Sequence, residues 1–376
     1  MIYFDNAATT RCSQETIDTL IRYADRQYFN PSSVYHEAVE VKIELDAARN
    51  RILKAAGGGE GKIIFTSGGT ESDNLAVFGT RKPNKSKVIV SAAEHAAIYN
   101  SAMELKRRGF EVCLCPVDGC GRVDEDAFRM LLDETVSFVS IIHVNNETGA
   151  INDIRKLCAL TKAANPSAIF HSDGVQALGK IPVNLTDSGV DLYSLSAHKL
   201  NAPKGCGALY VRKGVHLNPI VYGGGQEEGL RSSTENVGAI IAFSDMVSYY
   251  TANRIPLSTN MSAIKQIIKR FLSEAEGIRF LTGEPSSDYI LTFASDKLRG
   301  EVTLHALNRE GILVGTGSAC SSAKASRRIA EVLGLKGKYV DGIVRLSFGR
   351  YNTQEEALAF CAAYKKIYEE LSRYGS

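Results

Sequence analysis

Phe170-His171-Ser172-Asp173-Gly174-Val175-Gln176 and Ser194-Leu195-Ser196-Ala197-His198-Lys199 are the two segments on which the reading of this chain turns. Each belongs to a short apolar run that ends in polar groups, as a buried strand does where it meets a site at its carboxyl end. The first delivers a carboxylate, Asp173, and the second a primary amine, Lys199. Taken singly, Lys199 reads equally as a solvated loop lysine and Asp173 as a helix cap, the ordinary uses of these residues. Taken together at two strand ends, they place a buried acid near a nucleophilic amine. Pyridoxal phosphate (PLP) needs that pair: a lysine amine holds its aldehyde, and a carboxylate keeps its ring nitrogen protonated so that the ring withdraws electrons.

Outward from these segments, apolar runs alternate with helical patterns. The runs are Lys62 to Thr66, Lys87 to Ser91, Glu111 to Cys115, Val136 to Val144, Ala168 to Asp173, Asp191 to Ser196 and Gly207 to Val211. Amphipathic stretches lie between them at Asn74 to Thr80, Ala96 to Arg108, Asp124 to Leu132 and Ile154 to Ala164, long enough to cross over a sheet. This is an α/β signature, with seven strands expected in one mostly parallel sheet flanked by helices. After a helical stretch near Val237 to Tyr250, Pro256 interrupts the pattern, and shorter strands and helices follow. The expected organisation is a large domain over 15–255 and a smaller α+β domain over 256–376 that the N-terminal segment 1–14 joins. A chain of 376 residues with 44% hydrophobic content can bury cores of that size.

Composition narrows the class. The formal charge of +2 offers nothing to a polyanion, and no basic run is long enough to follow a nucleic-acid backbone. Met1-Ile2-Tyr3-Phe4-Asp5-Asn6 lacks the basic and apolar regions of a leader, and no apolar stretch approaches the roughly 18 residues of a membrane span. A cytoplasmic location is expected. The eight cysteines are scattered, as reduced thiols are. Cys113, Cys115 and Cys120 lack CxxC spacing and a neighbouring histidine, so strand packing accounts for them better than a metal, and no metal is expected.

Four further stretches hold site candidates. Phe65-Thr66-Ser67-Gly68-Gly69-Thr70-Glu71-Ser72-Asp73-Asn74 follows a strand with a Gly-Gly turn and a helix start, where backbone amides attract a phosphate; Thr70 is placed to cap that helix. His95 and Asn146 fall just past strand ends, where they serve either as site residues or as caps and loop residues. Cys320, in Val314-Gly315-Thr316-Gly317-Ser318-Ala319-Cys320-Ser321-Ser322-Ala323, is an accessible thiol or a small buried one; Lys324, Arg327 and Arg328 would favour its thiolate. Arg345 is the odd charge in an apolar strand, suited to grip a carboxylate or to form a buried ion pair.

In order, Tyr3 to Thr10, Thr66 to Asn74, Glu94-His95, His143 to Gly149, Asp173 to Gln176, Ser196 to Lys199 and Gly317 to Ser322 resemble the cysteine desulfurases, the NifS/IscS-like branch of the class V, fold type I PLP enzymes. The resemblance reaches Tyr351-Asn352-Thr353 and covers nearly the whole chain. It implies that Lys199 carries PLP, that Asp173 faces the pyridinium nitrogen, that Gln176 lies near the ring hydroxyl and that His95 stacks on the ring and moves protons. Gly69, Thr70, Ser196 and His198 would form the phosphate cup, to which Thr234 resembles a contribution from the partner subunit of a homodimer. Asn146, beside the cofactor, and Arg345 would grip the substrate carboxylate. Cys320 would take sulfur from L-cysteine as a persulfide, leaving L-alanine, and pass it to an acceptor protein. Iron-sulfur assembly, tRNA thiolation and cofactor biosynthesis are all possible destinations.

The chain departs from the branch in three places. Ser233 stands where relatives usually carry glycine, the stretch after Cys320 lacks a Leu-Glu-Pro-like continuation and is slightly shorter, and little follows the helix expected over Gln354 to Tyr374, which does not support a housekeeping scaffold partner. A selenocysteine lyase, another class V aminotransferase or lyase, and a catalytically weak PLP-binding sulfur-relay protein are the alternative readings.

Overall fold

Alternate side chains of the strands enter two different cores, as the two-residue period of a strand requires. Ile63 and Phe65 belong to the core that holds Val41, Leu45 and Ile52 of the helix His36–Ala55, whereas Ile64 belongs to the core of Leu75 and Ala76 on the helix Gly69–Gly79. Tyr193, Ala208 and Tyr210 face the first core; Leu192, Leu209 and Val211 face the second. A sheet covered on both faces needs apolar or satisfied residues at nearly every position, which is why these strands read as continuous apolar runs.

The structure, a computed structural model, describes residues 1–80, 82, 86–316 and 323–371, without the side chains of 323–327. Cys320 and the rest of the Gly317 to Ser322 run lie outside the described residues, as do 372–376 beyond the helix Gln354–Leu371. The described strands are β1 (Ile2–Phe4), β2 (Lys62–Thr66), β3 (Lys87–Ser91), β4 (Glu111–Cys115), β5 (Val136–Ser140), β6 (Ile169–Asp173), β7 (Leu192–Ser196), β8 (Gly207–Val211), β9 (Ile278–Phe280), β10 (Ile290–Ser295), β11 (Ile312–Val314) and β12 (Ile343–Ser347). Seven of them form one sheet in the order β2-β8-β7-β6-β5-β3-β4, the number read from the sequence. Its β3–β4, β3–β5, β5–β6 and β6–β7 pairs are parallel, and β8 is antiparallel to both neighbours.

Two smaller sheets lie in the rest of the chain. Strands β12, β10 and β9 pair antiparallel, and β1 pairs parallel with β11, so the N-terminal segment is hydrogen-bonded to the C-terminal part of the chain. The helix Val237–Ala252 gives way to Arg254–Ser273 across Asn253, with Pro256 in the first turn of the second helix, where its missing N–H costs nothing. Among the described residues, no helix is long and apolar enough to cross a membrane.

Two expected boundaries need correction. β5 stops at Ser140, not Val144: Ile141 to Val144 stay buried but have left the ladder, Ile141 and Val144 packing in the core and Ile142 lining a cavity. The helix expected over Asn74 to Thr80 begins at Gly69, so Gly68 and not Thr70 holds the cap position. Of the Gly-Gly pair that reads as a turn, Gly68 is the cap and Gly69 the first residue of the helix. On β4, Cys113 and Cys115 share a face, and burial pushes the Cys115 thiol up to about 12.

Candidate active site

Because β8 runs antiparallel to both β2 and β7, those two strands point the same way, and the parallel strands β3, β5 and β6 point with them. Their carboxyl ends therefore share one edge of the sheet, where ligands of such sheets gather. Past that edge the chain delivers Gly69 and Thr70 after β2, His95 after β3, Asn146 after β5, Asp173 at the end of β6, and Ser196, His198 and Lys199 from β7. These residues line one cavity of about 370 Å3, together with Gln176 and, from β12, Arg345. Thr234 lies elsewhere, lining a separate cavity with Tyr28, Phe29 and Asn30.

Local contacts explain the placements. Asp173 Oδ1 accepts the Val175 N–H at 2.9 Å, fixing the turn after β6. Gly174 is needed there because a Cβ would lie 1.9 Å from the Tyr193 ring. Gly69 presses against the same turn, with a Cβ position 2.9 Å from Val175 Cγ2. Lys199 Nζ donates to the carbonyl oxygens of Ala7 at 2.6 Å and Ala8 at 2.7 Å, and Gln176 Nε2 also donates to Ala7 O at 3.0 Å. The Asn6-Ala7-Ala8 stretch is thus a wall of the site. His95 caps the helix Ala96–Arg107 through Nδ1, which accepts the Ala97 N–H at 3.2 Å, and lines the cavity as well. His95 thus fills the cap position while facing the cavity, and the cap leaves Nε2 as the nitrogen that carries the ring proton.

Three buried carboxyls converge here. Asp73, Glu94 and Asp173 all line the cavity, at 1%, 1% and 4% exposure. Donor atoms of Asp73, His95 and Asp173 lie within 4.8 Å of one another. Burial raises the Asp173 pKa against the pull of His95, the Val175 N–H and Lys199. Burial and then the charge of Asp173 hold Asp73 well above its ordinary range. Burial pushes Glu94 up to about 8, despite hydrogen bonds from Ser91 and the Ile142 N–H. The bases shift the other way: burial, reinforced by Lys199, takes His198 down to about 3. Low-dielectric surroundings thus disfavour every charged form that lacks a counter-ion. Asp73 Oδ1, Glu94 Oε2, Glu147 Oε2 and Ser196 Oγ are buried with no hydrogen-bond partner among the described residues, His171 Nε2 lying 3.7 Å from Asp73 Oδ1 and bonding Ser194 instead.

The sequence reading passed over Asp73, Glu94, Glu147, Thr316 and Arg328, all of which line the cavity. A signal existed for two of them. Asp73 stands four residues after Gly69 and so shares its helix face, and Glu94 adjoins His95. Arg328 donates to the carbonyls of Ala92 at 2.5 Å and Glu94 at 2.9 Å and stacks on Tyr99; its expected influence on Cys320 concerns a residue outside those described.

Glu94 yields a signed prediction for the cofactor-free chain. Between pH about 4.5 and about 8, folded Glu94 keeps a proton that the unfolded chain has released. Its contribution is therefore complete below pH about 4.5 and declines as pH rises. His143, His171 and Lys180, held neutral by burial, slope oppositely, so the difference from a variant is the quantity to read. Relative to Glu94→Gln, wild-type stability should fall from pH 5 to 8 with a limiting slope of about 1.4 kcal/mol per pH unit, measured by urea unfolding. A flat difference would show that Glu94 is ionised in the folded chain.

Arg345 is 4% exposed and pairs with two acids, Asp5 Oδ1 at 2.9 Å and Glu147 Oε1 at 3.2 Å. The buried ion pair is therefore present, in a residue that also lines the cavity. Asn146 Nδ2 donates to the same Glu147 oxygen at 2.8 Å.

Ser233, where a glycine is usual in the resembling branch, has φ of 136°. The turn leading to Thr234 therefore keeps a backbone conformation that L side chains rarely adopt. Strain there costs about 1–3 kcal/mol and glycine's extra chain entropy about 0.5–1 kcal/mol. Ser233→Gly should stabilise the chain by about 1 kcal/mol in urea unfolding, and a loss of stability would mean that the Ser233 side chain holds the turn.

Comparison with known proteins agrees with this geometry. Residues 2–360 match the aminotransferase class-V family. The chain is 38% identical to a "NifS/IcsS protein homolog" of Lactobacillus delbrueckii subsp. bulgaricus, covering 99% of this chain and 98% of that one. It is 35% identical to "Cysteine desulfurase IscS" of Methanosarcina thermophila, covering 98% and 92%. A solved structure described as a NifS-like protein superposes with a TM-score of 0.90 at 33% identity, covering 99% of both chains. With a family match across nearly its whole length and full-length relatives above 30% identity, the chain belongs to the aminotransferase class-V family.

Proposed function

We propose that this chain is a PLP-dependent cysteine desulfurase. The observation that carries the reading is one cavity in which the Lys199 amine and the buried Asp173 carboxylate meet a phosphate-suited helix start at Gly69. The lining fits PLP. A buried, raised-pKa acid beside further carboxyls calls for a cation, which a protonated ring nitrogen provides. Ser196 Oγ has no partner, and the first-turn amides at Gly69 have no intrahelical acceptors.

When bound, PLP supplies an electrophilic carbonyl carbon and an electron-withdrawing ring. Lys199 Nζ would hold that carbon and, once free, would move the proton at the substrate Cα. Asp173 would keep the ring nitrogen protonated. His95 would lie against the ring and move protons through Nε2. Gly69, Thr70, Ser196 and His198 hold the phosphate. Asn146 and Arg345 hold the substrate carboxylate, and Glu147 already sets a carboxylate oxygen against both. Cys320 takes the sulfur: the Cβ–S bond of L-cysteine breaks, an S–S bond forms on Cys320, and the thiol proton balances the new C–H bond of L-alanine. The persulfide then passes to an acceptor protein.

The full enzyme in this reading is a cytoplasmic homodimer. Thr234, away from the Lys199 cavity of its own chain, serves the phosphate of the partner subunit. Ile17 and Ile21 on one helix and Val39 and Ile43 on another are exposed apolar pairs one turn apart, and exposed Tyr28 lines the cavity with Thr234, as a partner-facing surface would offer. Two lobes, 15–255 and 256–376 with 1–14, work across the cavity between them. The test is incubation with PLP, L-cysteine and a thiol reductant. Alanine and sulfide should form one to one; formation of neither sinks the proposal.

A further inference from the structure

Lys180 is a buried amine, 5% exposed, that no step above uses. It lies on the turn that continues from Asp173, and its Nζ donates to Gln176 Oε1 at 2.9 Å. The other end of that amide, Gln176 Nε2, donates at 3.0 Å to Ala7 O, the carbonyl that Lys199 Nζ also reaches at 2.6 Å. The chain of contacts therefore runs from Lys180 through Gln176 and Ala7 to Lys199. An amide has two nearly isosteric orientations that only its partners distinguish. Here the partners agree, since a carbonyl can only accept and the lysine N–H donates.

We propose that Lys180 is a positioning residue that locks the Gln176 amide with its NH2 group turned toward the Lys199 side of the cavity, where it donates to the ring hydroxyl of the cofactor. This deepens the PLP reading above and rests on it. Burial, with Lys199 adding repulsion, takes the Lys180 amine down to about 7. Donation survives that shift, because a neutral amine still carries two N–H groups. The Tyr289 ring, 5.6 Å from Nζ, closes the other side of the pocket. Without the amine, Gln176 can present its oxygen to the phenolic oxygen of PLP, which replaces an attraction with a repulsion.

A double-mutant cycle of Lys180→Met and Gln176→Ala tests this, with the PLP dissociation constant and the visible absorption maximum as readouts. Methionine preserves the length and apolar volume of the stem. Lys180→Met should weaken PLP about 3- to 10-fold, the weight of one neutral hydrogen bond, and shift the absorption maximum. In the Gln176→Ala background it should change neither. Equal losses in both backgrounds would make Lys180 a packing residue, and no loss in the wild-type background would make it a bystander; either result overturns the proposal. If Lys180→Met does not fold, Lys180→Gln, which keeps a donor, should hold the constant within about twofold, and a larger loss overturns the proposal. A folded wild-type chain that binds no PLP overturns the cofactor reading and this inference together.

Discussion

Lys199→Ala should leave a folded protein whose release of alanine from L-cysteine is about 10^4-fold slower than wild type. Two roles of one atom disappear at once. In the proposed mechanism Nζ would be both the covalent anchor of the cofactor and the base that moves the substrate Cα proton, and general-base transfer alone contributes about 10^2- to 10^4-fold. The amine donates to the carbonyls of Ala7 and Ala8, so its removal exposes those two acceptors at the wall of the site. PLP should then be held by Asp173 and the phosphate cup alone and be lost on desalting. Comparing absorbance before and after gel filtration, alongside alanine formation, checks both halves. A variant that keeps its colour through the column and its rate would move the Schiff base to another amine, for which buried Lys180, bonded to Gln176, is the candidate.

The parts legible in the sequence are those that follow from short-range periodicity. Every strand of the seven-stranded sheet lies in an expected run, because a sheet buried on both faces writes itself as apolar stretches bounded by polar site residues. Asp173 and Lys199 were legible for the same reason, each ending such a run. Features that depend on partners far along the chain were not. Arg345 meets Asp5 across 340 positions of sequence, so nothing near Arg345 could choose between an ion pair and a substrate contact. Asp73 and Glu94 read as ordinary acids of a helix and a turn; only the fold reveals that both are buried beside Asp173. β5 was over-extended because Ile141 to Val144 are buried outside the ladder, Ile141 and Val144 in the core and Ile142 against the site.

Cys320→Ala should leave cofactor absorbance intact and reduce sulfide release from L-cysteine by about 10^3-fold or more. Of the eight cysteines, six are held as protonated thiols. Burial raises the thiol pKa of Cys113, Cys115, Cys120, Cys158, Cys206 and Cys361, reaching about 12 at Cys115 and Cys206 and about 11 at Cys158 and Cys361. These groups remain protonated at neutral pH, and the thiolate is the nucleophile. Cys12 and Cys320 are left, and Cys12 does not line the cavity. Cys320 is tethered on both sides to residues that do: Thr316 precedes it by four positions, a reach of at most about 14 Å, and Arg328 follows it. Cys12→Ala should therefore keep the wild-type rate. Sulfide release that persists undiminished in Cys320→Ala would remove the persulfide step and favour a class V lyase or aminotransferase that uses this cysteine differently. Loss of colour along with activity would instead give Cys320 a part in holding the cofactor, which the contacts of Lys199, Asp173 and Gln176 do not require.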